Sequence, residues 1–444
     1  FSGVIVNKIK LDLIDLLDEI LTEGKYSNLQ MNHYFKVKGY SKKERAFITN
    51  IIHNTLKKLI FIDYLIEKKS KTIKKRRIKQ LIRISVCQFL IGDKADYAGI
   101  VYEAVEMAKI INPHQSGFVN SLLKNIFQEF DQLVAEIPED KKIGIELSYP
   151  QWFVTKISVD YPENYLEILK SYKEKSHLSF RINPKQFSVE KFRKLALEND
   201  SKILLEIGNV FYVSNSSLLG TKEFKENKFY VQDASSYLAV MSLDIKNEDV
   251  VLDACSAPGG KTMAILQEYN PKLLVATDIH EHKIKLLETI KRENKFENLD
   301  IILNDARNIE NLNRSFDKIL LDVPCTGLGV LRKKPEKIYT LENAEIKKIK
   351  KIQKDIFSSA YNSLAENGEL VYSTCTFTKE ENTNNIAHFL EKYSDLTIEK
   401  VEFPDSIFVT VDEYGGNYID YRNEFLDGFY IAKFRKKGNN GIWA

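Results

Sequence analysis

The chain holds 444 residues, 43% of them apolar and 29% charged, with 19 Gly, 10 Pro and 4 Cys. That composition excludes a collagenous, low-complexity or disulfide-stapled protein and suits roughly three globular domains. The net charge of +3 hides an uneven division, because residues 1–135 carry 22 Lys/Arg against 14 Asp/Glu and the remainder 43 against 48; a basic N-terminal part on a slightly acidic body predicts a polyanion-binding module joined to an enzyme.

Taken in chain order, the first 130 residues read as helices. Ile9, Leu13, Leu16, Leu17 and Ile20 recur at helical spacing over 4–21, and Gly24 is the expected stop. Asp12, Asp15, Asp18 and Glu19 interrupt this stretch, which predicts a folded amphipathic helix and not a secretory leader. Ser41 and Glu44 have capping-box spacing and open a pattern through Phe47, Ile48, Ile51, Ile52, Leu56, Leu59 and Ile60. Further helices are predicted at 78–91, 97–111 and 115–130. Between 68 and 79 stand eight basic residues and no acidic one. Such a run is either a solvated loop or a phosphate-binding patch, in which Lys74, Lys75, Arg76 and Arg77 are the expected RNA contacts.

Residues 131–150 read as a linker. Residues 151–235 mix helix (151–171, 188–198) and strand (178–182, 202–213), as a small α+β subdomain would. From 248 onward strands alternate with helices, at 249–253, 273–278, 299–303, 317–321, 369–374 and 429–434. This alternation predicts an α/β, Rossmann-like core with a mostly parallel sheet covered on both faces. The expected division is therefore 1–135, 136–235 and 236–444. No apolar run reaches the ~18 residues of a membrane span. The cysteines form no C-x-x-C pair, and no His stands at zinc-ligand spacing from one of them, so no membrane and no metal are expected, and the thiols are read as reduced and cytoplasmic.

Ligands in such sheets bind beyond the carboxyl ends of the strands. The first strand runs into Cys255-Ser256-Ala257-Pro258-Gly259-Gly260-Lys261-Thr262. Small residues and paired glycines allow a ligand close to the backbone and to a helix N-terminus. A Walker A loop would need Gly at 255, and a dinucleotide fingerprint would need G-x-G-x-x-G; neither is present. S-adenosylmethionine is the remaining ligand class. Asp278, about 25 residues beyond Asp253, is positioned for ribose hydroxyls, and Asp305 after the third strand for an adenine amino group.

Three of the four cysteines follow predicted strands: Cys255, Cys325 in Asp322-Val323-Pro324-Cys325 and Cys375 in Ser373-Thr374-Cys375. Two thiols beside a methyl donor suit methylation of cytosine C5. A thiolate adding to C6 makes C5 nucleophilic, and the adduct later collapses. Asp322 is the candidate acid near N3. Either cysteine could attack on position alone, but Thr378 and Glu381 have capping-box spacing, and a helix starting there would favour a thiolate at Cys375.

These residues resemble the RNA cytosine-C5 methyltransferases of the NOL1/NOP2/Sun class. Val231-Gln232-Asp233-Ala234-Ser235-Ser236, Arg332, Pro335 and Asp427-Gly428-Phe429 extend the likeness. The basic helical part, with Phe118-Val119-Asn120-Ser121-Leu122-Leu123-Lys124, is similar to the antitermination-factor-like (NusB-like) RNA-binding domain. The resemblance implies cytosine-C5 methylation of 16S rRNA with S-adenosylmethionine as donor. By it Cys375 is the nucleophile, Cys325 the release cysteine, residues 255–261, Asp278, Asp305 and Asp322 the donor contacts, and Arg332 a further RNA contact. Two positions depart from the pattern: Ser256 stands for the usual Ala, and Asn304-Asp305-Ala306-Arg307 for a Gly-containing version. The competing readings are methylation of tRNA or 23S rRNA, a non-catalytic ribosome assembly factor and, more distantly, an NTPase. A monomer is expected, since no heptad seam is present.

Overall fold

The computed structural model describes residues 2–95 and 97–438, in two compact units. One runs to Lys173 and takes in Lys333–Leu341; the other holds Glu174–Arg332 and the chain from Glu342. The break therefore falls well after the expected 135. Tyr149, Phe153, Ile157 and Leu169 are buried, and the Phe61 N–H donates to Ser148 Oγ at 3.0 Å. These contacts tie the expected linker to the helical unit.

The first unit is helical throughout. Its helix Ser2–Glu23 ends before Gly24, whose φ of +65° suits glycine. The Ser41–Glu44 capping box forms in both directions and opens Lys42–Lys57. Helix Arg76–Ile91 is enclosed by its neighbours, with Phe89 stacked on Phe127 at 4.2 Å. Cys87 lies in this core, where burial pushes its thiol up to about 11. Helix Ser27–Lys38 escaped the sequence pattern because only Ser27 and Met31 among its residues are buried. Within the same unit the buried Glu336 carboxylate accepts from the Ser27 N–H at 2.8 Å and the Ser27 hydroxyl at 3.1 Å.

The second unit begins with a small antiparallel sheet: β1 (Leu178–Ile182), β2 (Ile203–Ile207), β3 (Val210–Val213) and β4 (Phe229–Val231), in the order β2-β3-β1-β4. Helix Val189–Glu198 packs Phe192 against Phe180, Phe211 and Phe229. The main sheet contains β5 (Val250–Asp253), β6 (Leu273–Asp278), β7 (Leu299–Leu303), β8 (Phe316–Asp322), β9 (Leu364–Thr374), β10 (Leu396–Glu399), β11 (Val409–Val411), β12 (Asn417–Ile419) and β13 (Phe429–Lys436). Its order is β11-β12-β13-β9-β8-β5-β6-β7, with β10 also on β13. β7, β6, β5, β8 and β9 are parallel, and β13 is antiparallel to β9. The parallel strands are apolar on both faces because helices cover both. The chain moves outward from β5 through β6 to β7, then returns to β8 on the other side. The carboxyl end of β5 is thus the switch point, where ligands bind in such sheets.

Among the described residues no helix is long and apolar enough to cross a membrane. Nor do three or more His, Cys, Asp or Glu side chains among them form a metal-binding group.

Candidate active site

β5 delivers Asp253 to the switch point fully buried. Its Oδ2 accepts from the Thr262 hydroxyl at 2.8 Å, while Oδ1 has no protein partner. Burial raises this carboxyl to about 7, against the opposing pull of Thr262 and Lys261. The following loop folds back on β6, where the Ser256 N–H and hydroxyl both donate to the Thr277 carbonyl, at 2.9 and 2.8 Å. Gly259 has φ +106°, and a Cβ there would lie 2.6 Å from Ile290 Cδ1. Only glycine fits, and the first turn of helix Gly260–Glu268 leaves its N–H groups facing the loop. Cys255, half-buried in the core under this loop, has its thiol raised first by burial and then by the Asp253, Asp322 and Asp278 carboxylates.

Two further acids end the neighbouring strands. Asp278 Oδ1 accepts from the His280 N–H at 3.0 Å and lies 3.8 Å from Lys283 Nζ. Asp305 is engaged by its own neighbour: Arg307 Nε lies 3.0 Å from both carboxylate oxygens and Nη2 2.6 Å from Oδ2. That pairing, first of all, holds Asp305 below the usual carboxylate range.

β8 and β9 are parallel neighbours in register, with Asp322 opposite Ser373. The loops beyond them therefore meet, and Cys325 Sγ stands 3.3 Å from Cys375 Sγ. Asp322 Oδ2 accepts from Lys261 Nζ at 2.6 Å, and Oδ1 from the Ser373 hydroxyl at 2.9 Å. Lys261 thereby joins the β5 loop to the thiol pair. Burial opposes its charge most, but Asp322, with Asp253 and Cys375 adding, raises the ammonium above its usual value.

Both thiol loops rest on one buried carboxylate. Glu381 accepts from the Thr326 N–H at 2.9 Å, the Thr326 hydroxyl at 2.7 Å, the Thr378 hydroxyl at 2.6 Å and Gln353 Nε2 at 3.1 Å. Asn382 ties the same region together, accepting from the Thr374 hydroxyl at 2.6 Å and donating to the Thr376 carbonyl at 3.0 Å. The Cys375 carbonyl accepts from the Gly329 N–H at 2.9 Å, and the Gly428 N–H donates to the Gly329 carbonyl at 2.9 Å. Cys325 is held well above the usual thiol range, first by its hydrogen bond to Cys375, then by burial, with Glu381 and Asp322 adding.

Two expectations need correction. The Thr378–Glu381 capping box does not form, because the helix starts at Thr383 and Glu381 turns inward as the acceptor just described. Arg332 is not an exposed RNA contact; it is 4% exposed, and its Nη1 donates to the carbonyls of Asn423, Glu424 and Leu426 at 2.7–3.2 Å. In the helical unit, Arg76 and Arg77 are exposed but ion-paired to Asp18 and Asp15, whereas Lys74 and Lys75 are exposed and, among the described residues, form no ion pair. The motif pieces at 231–236 and 427–429 meet: the Ser235 hydroxyl donates to the Asp427 carbonyl at 2.8 Å, and the Asp427 N–H to Asp233 at 3.2 Å. Sequence reasoning missed Gly329, Gln353, Glu381 and Asn382 as supports. Gly329, Glu381 and Asn382 are signalled only by proximity to the two cysteine motifs, and Gln353, in the middle of a helix, by nothing in the sequence.

A parallel sheet with a glycine loop at its switch point and acids at successive strand ends defines a Rossmann-like methyltransferase. Residues 240–435 match the family described as 16S rRNA methyltransferase RsmB/F, residues 8–128 the NusB family, and residues 149–202 the ferredoxin-like domain of RsmF/B-like methyltransferases. A probable ribosomal RNA small subunit methyltransferase B of Bacillus subtilis (strain 168) is 31% identical, covering 93% of this chain and 95% of its own length. The ribosomal RNA small subunit methyltransferase B of Klebsiella pneumoniae subsp. pneumoniae is 28% identical over 90% of this chain and 92% of its own. The crystal structure of PH0851 shares the fold with a TM-score of 0.81, at 22% identity, over 97% of this chain and 99% of that one. The chain belongs to the RsmB/F family of methyltransferases.

Proposed function

We propose that this protein methylates C5 of a cytosine in 16S rRNA, with S-adenosylmethionine as donor, through a transient bond from Cys375 to cytosine C6. The observation that carries this reading is the pair of sulfurs 3.3 Å apart, joined through Asp322 and Lys261 to the β5 glycine loop. The names of the Bacillus and Klebsiella relatives support the substrate.

The β5 loop fits the donor. Asp253 Oδ1 is buried without a protein partner, and Gly259 admits no side chain. Residues 255–261 would hold the methionine part, Asp278 the ribose, and Asp305 the adenine once freed from Arg307. When bound, the donor supplies an electrophilic methyl group. Cys375 adds to C6 and raises electron density at C5, the atom to be methylated. Asp322, bridged to Lys261, supports the N3 side of the ring. After methylation a base, Cys325 or solvent, takes the C5 proton, and the electron pair it leaves behind expels the Cys375 thiolate from C6. The charges around the thiols suit these roles: Glu381 and Asp322 oppose ionisation of Cys325, whereas the Lys261 ammonium and Cys375 attract one another. The target base must leave any stack to reach the thiols. Lys74 and Lys75 are assigned a share of the RNA backbone.

Labelled donor and small-subunit rRNA test the reading. Cys375→Ala is expected to abolish transfer while donor binding persists. Cys325→Ala is expected to accumulate a covalent RNA adduct, seen as a shifted gel band. Near-normal turnover by Cys375→Ala would overturn the assignment. Mapping 5-methylcytosine with and without the gene separates 16S rRNA from tRNA or 23S rRNA.

A further inference from the structure

The helix Asn343–Ser363 connects β8 to β9, so it begins at the carboxyl edge of the sheet, where the thiols are, and runs back. Gln353 fixes its height, donating to the Pro324 carbonyl at 2.9 Å and to Glu381 at 3.1 Å. The first half of the helix is therefore part of the active-site rim. Ile346, Gln353, Ile356 and Phe357 form its buried face. Lys347, Lys350, Lys351 and Lys354 follow at i, i+3, i+4 and i+7, which places them on one adjoining face. Lys348 flanks this row.

The neighbouring helix Thr383–Lys392 adds Lys392 and His388. Burial first, then the surrounding lysines, pulls both Lys354 and His388 below their usual values. Lys351 pairs with Asp355 at 2.8 Å. Among the described residues, Lys347, Lys348, Lys350 and Lys354 form no ion pair. Like charges one helical turn apart are destabilising, and this row lies in the acidic part of the chain. The fold tolerates a cationic ridge, paired only at Lys351, on the helix that Gln353 ties to the thiol loops, and a polyanion passing that rim would neutralise it.

We propose that this lysine ridge is an RNA-binding surface of the catalytic unit, which grips the phosphate backbone of the strand flanking the target base. The inference rests on the proposed RNA substrate. Flexible ammonium groups without fixed carboxylate partners suit sequence-independent phosphate contact; recognition of particular bases is left to other residues.

The test combines Lys347→Gln, Lys350→Gln and Lys354→Gln in the full chain, because Gln keeps helix propensity. Binding of transcribed small-subunit rRNA is measured against salt concentration. Losing three phosphate contacts is expected to lower affinity about 10- to 100-fold near 0.1 M salt and to flatten the slope of log K against log salt by about 2. Donor affinity and turnover at saturating RNA should stay within twofold, and the triple Lys→Arg variant should bind like wild type. An unchanged slope and affinity would overturn the proposal, as would a loss seen equally in donor binding. Wild-type methyl transfer to the same RNA, run alongside, judges the substrate reading separately. If wild type transfers no methyl group yet binds RNA through the ridge, only that reading fails. Weakened binding of an acidic protein with RNA binding intact would assign the ridge to a protein partner and sink the proposal.

Discussion

Gly329→Ala probes how Cys375, the proposed nucleophile, is held. A Cβ at Gly329 would lie 1.9 Å from the Gly428 carbonyl oxygen, 2.6 Å from its carbon and 2.9 Å from the Cys375 carbonyl oxygen. All three are backbone atoms, so no side chain can swing aside. Ordinary carbon–oxygen contact needs roughly 3.3 Å, so the chain at Gly428 must retreat by more than about 1 Å. That retreat breaks the Gly428 N–H bond to Gly329 and strains the Gly329 N–H bond to Cys375, each 2.9 Å long. Two lost hydrogen bonds and the overlap together cost about 3 kcal/mol, a fall in Tm of roughly 6 °C for a unit of this size. The Cys375 carbonyl, about 0.4 Å inside ordinary contact, must shift as well, which lowers turnover on the order of 10-fold. Gly329 is outside the β5 loop, so titration with S-adenosylmethionine should show wild-type affinity. Thermal unfolding, donor titration and single-turnover methyl transfer, run side by side, check all three expectations. Wild-type turnover with an unchanged Tm would refute the claim that this glycine positions the thiol.

Asp253 predicts a pH dependence. Its ordinary value is 3.8 and burial lifts it to about 7 in the folded chain. The folded form binds the extra proton between those values, so stability falls as pH climbs through that window, by at most ~4 kcal/mol. Asp253→Asn should flatten this trend, raising Tm relative to wild type at pH 8 more than at pH 5; an equal difference at both would count against a buried neutral carboxyl. Arg332→Lys keeps the charge but loses the fork that reaches three carbonyls. It should cost about 2 kcal/mol in urea unfolding while leaving RNA affinity unchanged, and a selective loss of RNA binding would restore Arg332 as a contact.

Strands and motifs were legible because they depend on local chemistry. β6 and β7 occupy the residues predicted for them: β6 is apolar because both its faces are covered, and the edge strand β7 keeps an apolar run around Asp300. Helix Ser27–Lys38 was not legible, because it buries too little to carry a stripe. Thr378 and Glu381 misled for a different reason: capping-box spacing is a local signal, but a buried glutamate is worth more to the fold as an acceptor for four donors than as a cap. Arg332 misled because a charged side chain in a motif reads as a ligand contact, whereas a guanidinium surrounded by carbonyls is a brace.

The sharpest limit lies between the two cysteines. Both follow strands, both precede a threonine, and nothing in their order along the chain distinguishes the proposed attacker from the proposed helper. Their surroundings differ through residues from separate segments that the fold brings together. Lys261 arrives from the β5 loop and Glu381 from beyond β9. The Lys261 ammonium and Cys375 attract one another, whereas the hydrogen bond to Cys375 and then burial, with Glu381 and Asp322 adding, hold Cys325 above the usual thiol range. Two sulfurs 3.3 Å apart could otherwise share a proton indifferently. In the proposed reaction Cys325 is the thiol that keeps its proton while Cys375 adds to the ring. A reaction that needs one thiolate to attack and one thiol to wait requires such an asymmetry, and either cysteine motif alone could not supply it.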